Sequence, residues 1–281
     1  TDGVDGSCSP EGLSGIIDAA PDGSVIAIAG GTHPWPFPVT VNRRVTISGG
    51  GCCPDCGSDD PSSTWSWPTV LAIGSNGAFV VNSPTKGDLV RISGLYIDGQ
   101  GPEHSYVGGS NNAVISEDFG NQAVYRVDNV RFRHTSGAHN TIRTNGINSY
   151  GLFDHIYMSS PASGVSTVFM RATGYGGDNG DTDWSRATSW GSVTFDYVED
   201  TTVDFQTPDA GEPAICLDQQ GGGRAVLRHS YFRNCQWGNH GTESGWPARS
   251  GVAMEAYGNE FVWSDPSDRL HASLLLRGGS V

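Results

Sequence analysis

Four segments between Ala123 and Phe261 repeat one pattern: AVYRVDNVRF, YGLFDHIYM, AVLRHSYF and VAMEAYGNEF. Each runs a short apolar strand into a polar pair, Asp128-Asn129, Asp154-His155, Arg228-His229 or Gly258-Asn259, and straight out into another short strand. Val127 and Phe153 are 26 residues apart, and Leu227 and Ala256 are 29 apart. A strand-and-corner unit of that length buries its apolar face only by stacking on further copies, which is the solenoid solution. Function in such a chain is written on outward stripes that can be read coil by coil.

The composition agrees with this reading. Glycine is abundant (40 residues), methionine scarce (3), and only 16% of residues are charged, as expected for many short strands joined by tight turns. The formal charge of −14 argues against nucleic acid or an anionic membrane as partner. It also opposes an acidic polysaccharide, unless clustered arginines or divalent cations reverse the local field. No stretch of apolar residues is long enough to span a membrane. The sequence opens at Thr1 without a signal-peptide pattern, as a processed secreted chain or a trimmed one would.

Six cysteines fall into two groups. Cys216 and Cys235 are 19 apart, close to one short coil, which predicts a bridge between neighbouring coils. Cys8, Cys52, Cys53 and Cys56 are read as disulfide-forming in preference to a metal knot, because GGGCCPDCG lacks a second CxxC or a nearby histidine pair. Both readings of the cysteines point to an oxidising, extracellular compartment.

The N-terminal residues 1–24 read as a cap. Ser9 is the N-cap candidate, Pro10 the first helical residue, and Ile16, Ile17 and Ala20 supply an apolar face. A short helix there closes the open end of a β-column. Beyond it, SVIAIAGGTH, VTVNRRVTISG and TVLAIGS are assigned as three strands of one turn, and trios continue from FVVNSP, LVRISG and LYIDG to GNHGTES, VAMEAYGN and EFVW. The expectation is one all-β domain over residues 1–281 with about seven three-strand coils, interrupted by inserted loops at 49–67 and 174–189. ASLLLRGGS opens a further coil, and the C-terminal end is uncapped.

The cap followed by APDGSVIAIAGGTH, the polar corners, and GGGRAVLRHSYFRN with NHGTES and AMEAYGNEF resemble the right-handed parallel β-helix proteins of the pectate-lyase-like superfamily. That scaffold hosts lyases, hydrolases, tailspikes, adhesins and structural proteins, so the resemblance implies a fold before an activity. It implies left-handed corner residues at Gly94, Asn129, His155, His229 and Asn259, which makes His155 and His229 ladder members rather than catalysts.

The resemblance also directs attention to the first strand of each trio, where a ligand groove would run. If Ile142, Met170, Leu217 and Leu276 point inward, alternation turns Arg143, Arg171, Asp218, His240 and Arg277 outward as one row, with neighbours about 4.8 Å apart. Asp218 between Arg171 and His240 favours a protonated imidazole, and His240 near neutrality can move protons. The arginines can grip sugar carboxylates. Glu243 and Arg249 follow on a loop, and Trp184, Trp190, Trp237 and Trp246 are expected on flanking loops. The same row on a solvated sheet face would merely form cross-coil ion pairs.

Two acidic groups compete for attention. GYGGDNGDTDW crowds Asp178, Asn179, Asp181 and Asp183 as a Ca²⁺ loop does, without EF-hand spacing. Asp196, Glu199, Asp200 and Asp204 are read as surface carboxylates. Three functions follow: a polysaccharide lyase with His240 as base and arginines on the substrate acid, a hydrolase, or a non-catalytic adhesin, tailspike-like or fibre-forming module that assembles end to end. Hydrolysis ranks below lysis because it needs two carboxyl groups and the row offers only Asp218, with Glu243 as a loop partner.

Overall fold

The structure, a computed structural model, describes residues 9–50, 69–73, 77–82, 89–99, 113–117, 124–133, 140–145, 150–160, 168–173, 195–206, 214–220, 223–239, 251, 253–264 and 273–276. Helix α1 (Pro10–Ala19) begins as its sequence dictates: the Ser9 side chain accepts a hydrogen bond from the Gly12 N–H at 3.1 Å, and Pro10 takes the first turn. Leu13, Ile17 and Ala20 form the buried stripe. Ile16, assigned to that stripe from sequence, points out, because the face is set by the i, i+4 pair Leu13 and Ile17.

Twenty-one strands follow among the described residues, all paired in parallel. Ladder 2 stacks β1 (Ser24–Ile28), β4 (Val45–Gly49), the first halves of β7 (Leu89–Asp98), β9 (Val124–Arg133) and β11 (Tyr150–Ser160), then β13 (Asp196–Glu199), β16 (Arg224–Arg228) and β19 (Ala253–Tyr257). Ladder 3 stacks β2 (Gly31–Trp35), β5 (Thr69–Ile73), the second halves of β7, β9 and β11, then β14 (Thr202–Phe205), β17 (Tyr231–Arg233) and β20 (Glu260–Val262). Ladder 1 is a separate sheet of β3 (Val39–Val41), β6 (Phe79–Val81), β8 (Ala113–Glu117), β10 (Asn140–Asn145), β12 (Val168–Thr173), β15 (Ala214–Gln220), β18 (Cys235–Asn239) and β21 (Leu274–Leu275). Three parallel ladders wound by one chain make a parallel β-helix, and the rule for parallel crossovers gives it a right hand.

Each ladder holds eight strands among the described residues, against about seven coils expected. The difference arises at the start, where five strands replace three. Ala29-Gly30 separates β1 from β2, which opens on Gly31 at φ 123°, and Asn42-Arg43-Arg44 separates β3 from β4. Alternation then fills the interior: Val90, Ile92, Val127, Phe153, Val198 and Leu227 from ladder 2 meet Leu95, Val130, Ile156, Val203 and Phe232 from ladder 3 in one continuous core.

On the six coils from β7 to β19 the corner between ladders 2 and 3 turns on a single left-handed residue. Gly94, Asn129, His155 and His229 occupy it as expected (φ 69°, 53°, 51° and 52°), and Asp200 (45°) and Gly258 (59°) complete the column. Asn259, expected in it, sits one residue later. Its side chain instead accepts from the Ser230 N–H at 3.0 Å and donates to the Leu227 carbonyl at 2.7 Å. Of the expected insert at 49–67, Gly49 instead closes β4 and 51–67 lie outside the described residues, as do the insert at 174–189 and Cys8, Cys52, Cys53 and Cys56.

Cys216 and Cys235 form the expected disulfide between neighbouring strands of ladder 1, with Cα atoms 5.4 Å apart. Closing a loop of 19 residues restricts the unfolded chain, so a C216S/C235S variant should lose about 3 kcal/mol. Urea unfolding of the variant beside wild type measures this; an unchanged midpoint would refute it.

Candidate functional site

Ladder 1 carries the row singled out from sequence, and the register decides who belongs to it. Arg143 pairs with Arg171, and Arg171 with Asp218, on three successive coils. The next two places belong to Gly238 and Leu275 rather than to His240 and Arg277. The assignment GNHGTES shifts the strand C-terminal of its true position. Asn234, left-handed at φ 56°, turns the chain in one residue, so the strand starts at once with Cys235. Its side chain secures the turn, donating to the Phe205 carbonyl at 2.6 Å and accepting from the Ser264 N–H at 2.8 Å.

The shift has three consequences. His240 and Arg277 lie two residues past the places expected for them, outside the described residues, as do Glu243, Arg249, Trp184, Trp190, Trp246, Asp178, Asn179, Asp181 and Asp183. Trp237 is not on a flanking loop: it is in register with Leu217, fully buried in the core, and so cannot stack on a sugar. The place expected for Leu276 in the row of Ile142, Met170 and Leu217 belongs to Leu274, the register partner of Trp237. Arg143 is half-buried, whereas Asp218, outward by alternation, has no exposed surface.

Of the acidic group at 196–204, read from sequence as surface carboxylates, Asp200 is exposed, but Asp196 and Asp204 are buried. Asp196 points into the column, 5% exposed. Its register row on ladder 2 is Tyr125, Gly151, Asp196 and Ala225. Gly151 leaves room for the Tyr125 ring, whose hydroxyl donates a hydrogen bond to Asp196 Oδ1, two coils away. From ladder 1, Thr144 Oγ1 donates to Asp196 Oδ2 at 2.8 Å. Burial pushes the Asp196 carboxyl up to about 7, and the two donated hydrogen bonds only partly offset it. Asp204 pairs with Arg233 at 2.6 and 2.8 Å, and Glu199 with Arg228.

The outward side of ladder 2 carries a chain of ion pairs that ends on the corner column. Arg91 grips Asp128 through Nε at 2.7 Å and Nη2 at 2.6 Å. Arg126 bridges from Asp128 (3.3 Å) to Asp154 (2.9 Å), and His155 Nδ1 rests against the other Asp154 oxygen. Burial raises Asp128, but the bonds from Arg91 and Asn129 and the charges of Arg91 and Arg126 outweigh it and hold the carboxyl below its ordinary value. On ladder 3, Arg131 lies between the rings of Tyr96 and Tyr157, 5.2 and 5.4 Å from their centroids. Sequence reading missed the Asp196 cluster and this stack because both depend on which coil lies above which.

No protein-family model matches the chain, and no curated protein sequence matches it. Among solved structures it is similar to the crystal structure of the pectin methylesterase from Aspergillus niger, at 12% identity and a TM-score of 0.45, over 93% of this chain and 85% of that one. The β-helix itself is read from the ladders above.

Proposed function

We propose that the protein is a secreted, carbohydrate-active β-helix that holds an acidic polysaccharide against the outward side of ladder 1 and cleaves it by a lyase-like elimination. The observation that carries this reading is the register of Arg143, Arg171 and Asp218 on three successive coils. Two arginines in register on neighbouring coils suit the carboxylates of a polyuronide, which a chain of net charge −14 otherwise repels. Asp218, fully buried, is a positioning residue in this reading and does not meet the substrate. His240 is the proposed base: it takes the C5 proton of the sugar, the freed electron pair forms the C4–C5 double bond, and the C4–O bond breaks, its oxygen leaving with a proton from water; Arg277, Glu243 and Arg249 are proposed to flank the bound chain. The Cys216–Cys235 disulfide supports an extracellular setting.

His240→Ala should abolish turnover while sparing binding, whereas Arg171→Ala should mainly weaken binding. The assay screens acidic and neutral polysaccharides for reducing-sugar release and for the ultraviolet absorbance of unsaturated products. Full activity in His240→Ala would remove the proposed base. A non-catalytic module that binds glycans or associates end to end is the second reading. It is favoured by the exposed apolar side chains Leu274 and Leu276, 39% and 49% exposed. No cleavage of any glycan, with end-to-end oligomers on a sizing column, would decide for it.

A further inference from the structure

We propose that the corner column between ladders 2 and 3 carries a site for one divalent transition-metal ion, held by Asp154, His155 and Asp200. The proposal is independent of the polysaccharide reading, since these residues lie at another corner of the coil. A donor atom from each of the three lies within 4.8 Å of the others. An ion bound at about 2.1 Å needs donors roughly 3.4 Å apart, so modest side-chain rotations close the set. The backbone holds the parts in place: Asp154 pairs with Glu199, which stacks His155 directly on Asp200, both left-handed at φ 51° and 45°.

The corner accepts histidine, as at His229, but does not require it. One coil earlier, Asn129 occupies the same left-handed position, and its Nδ2 donates to the preceding Asp128 at 2.9 Å. His155 repeats that contact with its own preceding carboxylate, Asp154. Asparagine therefore suffices for the corner, and histidine appears on the coil directly before the carboxylate Asp200. Arg126, bonded to Asp154 Oδ2 at 2.9 Å, fixes that carboxylate from behind and leaves its other oxygen toward the imidazole. His155 is 43% exposed and Asp200 is exposed, so remaining coordination places face water. An imidazole among carboxylates selects Zn²⁺, Ni²⁺ or Cu²⁺ over Ca²⁺ or Mg²⁺.

The test is calorimetric titration of Zn²⁺ into the chelator-stripped full chain and into His155→Asn and Asp200→Asn, with circular dichroism confirming that each variant is folded. Both substitutions install a residue that tolerates the left-handed conformation. One Zn²⁺ per chain, weakened about tenfold or more in either variant and not displaced by Ca²⁺, is the expected result. If one variant fails to fold, the other decides. Zn²⁺ binding of equal strength in both variants would put the ion elsewhere, the Cys52-Cys53-Cys56 segment included, and overturn the proposal. So would the absence of binding.

Discussion

Replacing Asp196 by Asn should flatten the stability of this protein against pH, with a difference from wild type of about 4 kcal/mol across the range. In the fold the carboxyl is raised from 3.8 to about 7, with burial the largest cause. The native state therefore keeps a proton that the unfolded chain releases above pH 3.8 or so. The contribution is present in full below that value and is lost as pH rises toward about 7. Asparagine preserves shape, and its amide can still accept from Tyr125 while the Thr144 hydroxyl turns to accept from the amide N–H. Other groups, among them Asp128 with its opposite shift, titrate equally in both proteins and cancel in the difference. Unfolding free energies from urea titrations at about pH 4, about pH 6 and about pH 8 measure it. Parallel pH profiles for the two proteins would show that Asp196 is ionised in the fold.

Gly151→Ala should cost about 3 kcal/mol, at the upper end of the range for overpacking a core. A Cβ there would lie 2.2 Å from Tyr125 Cε2 and 2.4 Å from the Tyr125 carbonyl oxygen. The ring has little room to retreat, since its hydroxyl is bonded to Asp196 and it packs against Phe153 with centroids 5.1 Å apart. The carbonyl belongs to the neighbouring strand and moves only if the ladder opens. Gly15, with nothing within 4 Å of an added Cβ, is the control, and Gly15→Ala should be neutral or slightly stabilising in its helix. Thermal unfolding of the two variants distinguishes them. A loss below about 1 kcal/mol for Gly151→Ala would mean that the Tyr125 ring does not span that coil.

Local chemistry is what the sequence by itself determined. The repeat of strand, polar corner and strand forced a stacked β-column, and Asn129, His155 and His229 marked its left-handed corner because few other residues accept positive φ. Ser9 and Pro10 marked the helix start, and the spacing of Cys216 and Cys235 marked a bridge between coils. The tertiary structure decided the register. Side chains alternate with a period of two, so a strand displaced by two residues keeps every side chain on the same face, and alternation does not detect the error. Alternation alone therefore admits His240 to the place beside Asp218 that belongs to Gly238, and leaves Trp237 outside the strand. The position of β18 follows from the one-residue turn at Asn234. Asp196 lies inside for a related reason. Its neighbours Tyr125, Gly151 and Thr144 are 71, 45 and 52 residues away in the chain, and only the stacking of coils makes them one cluster.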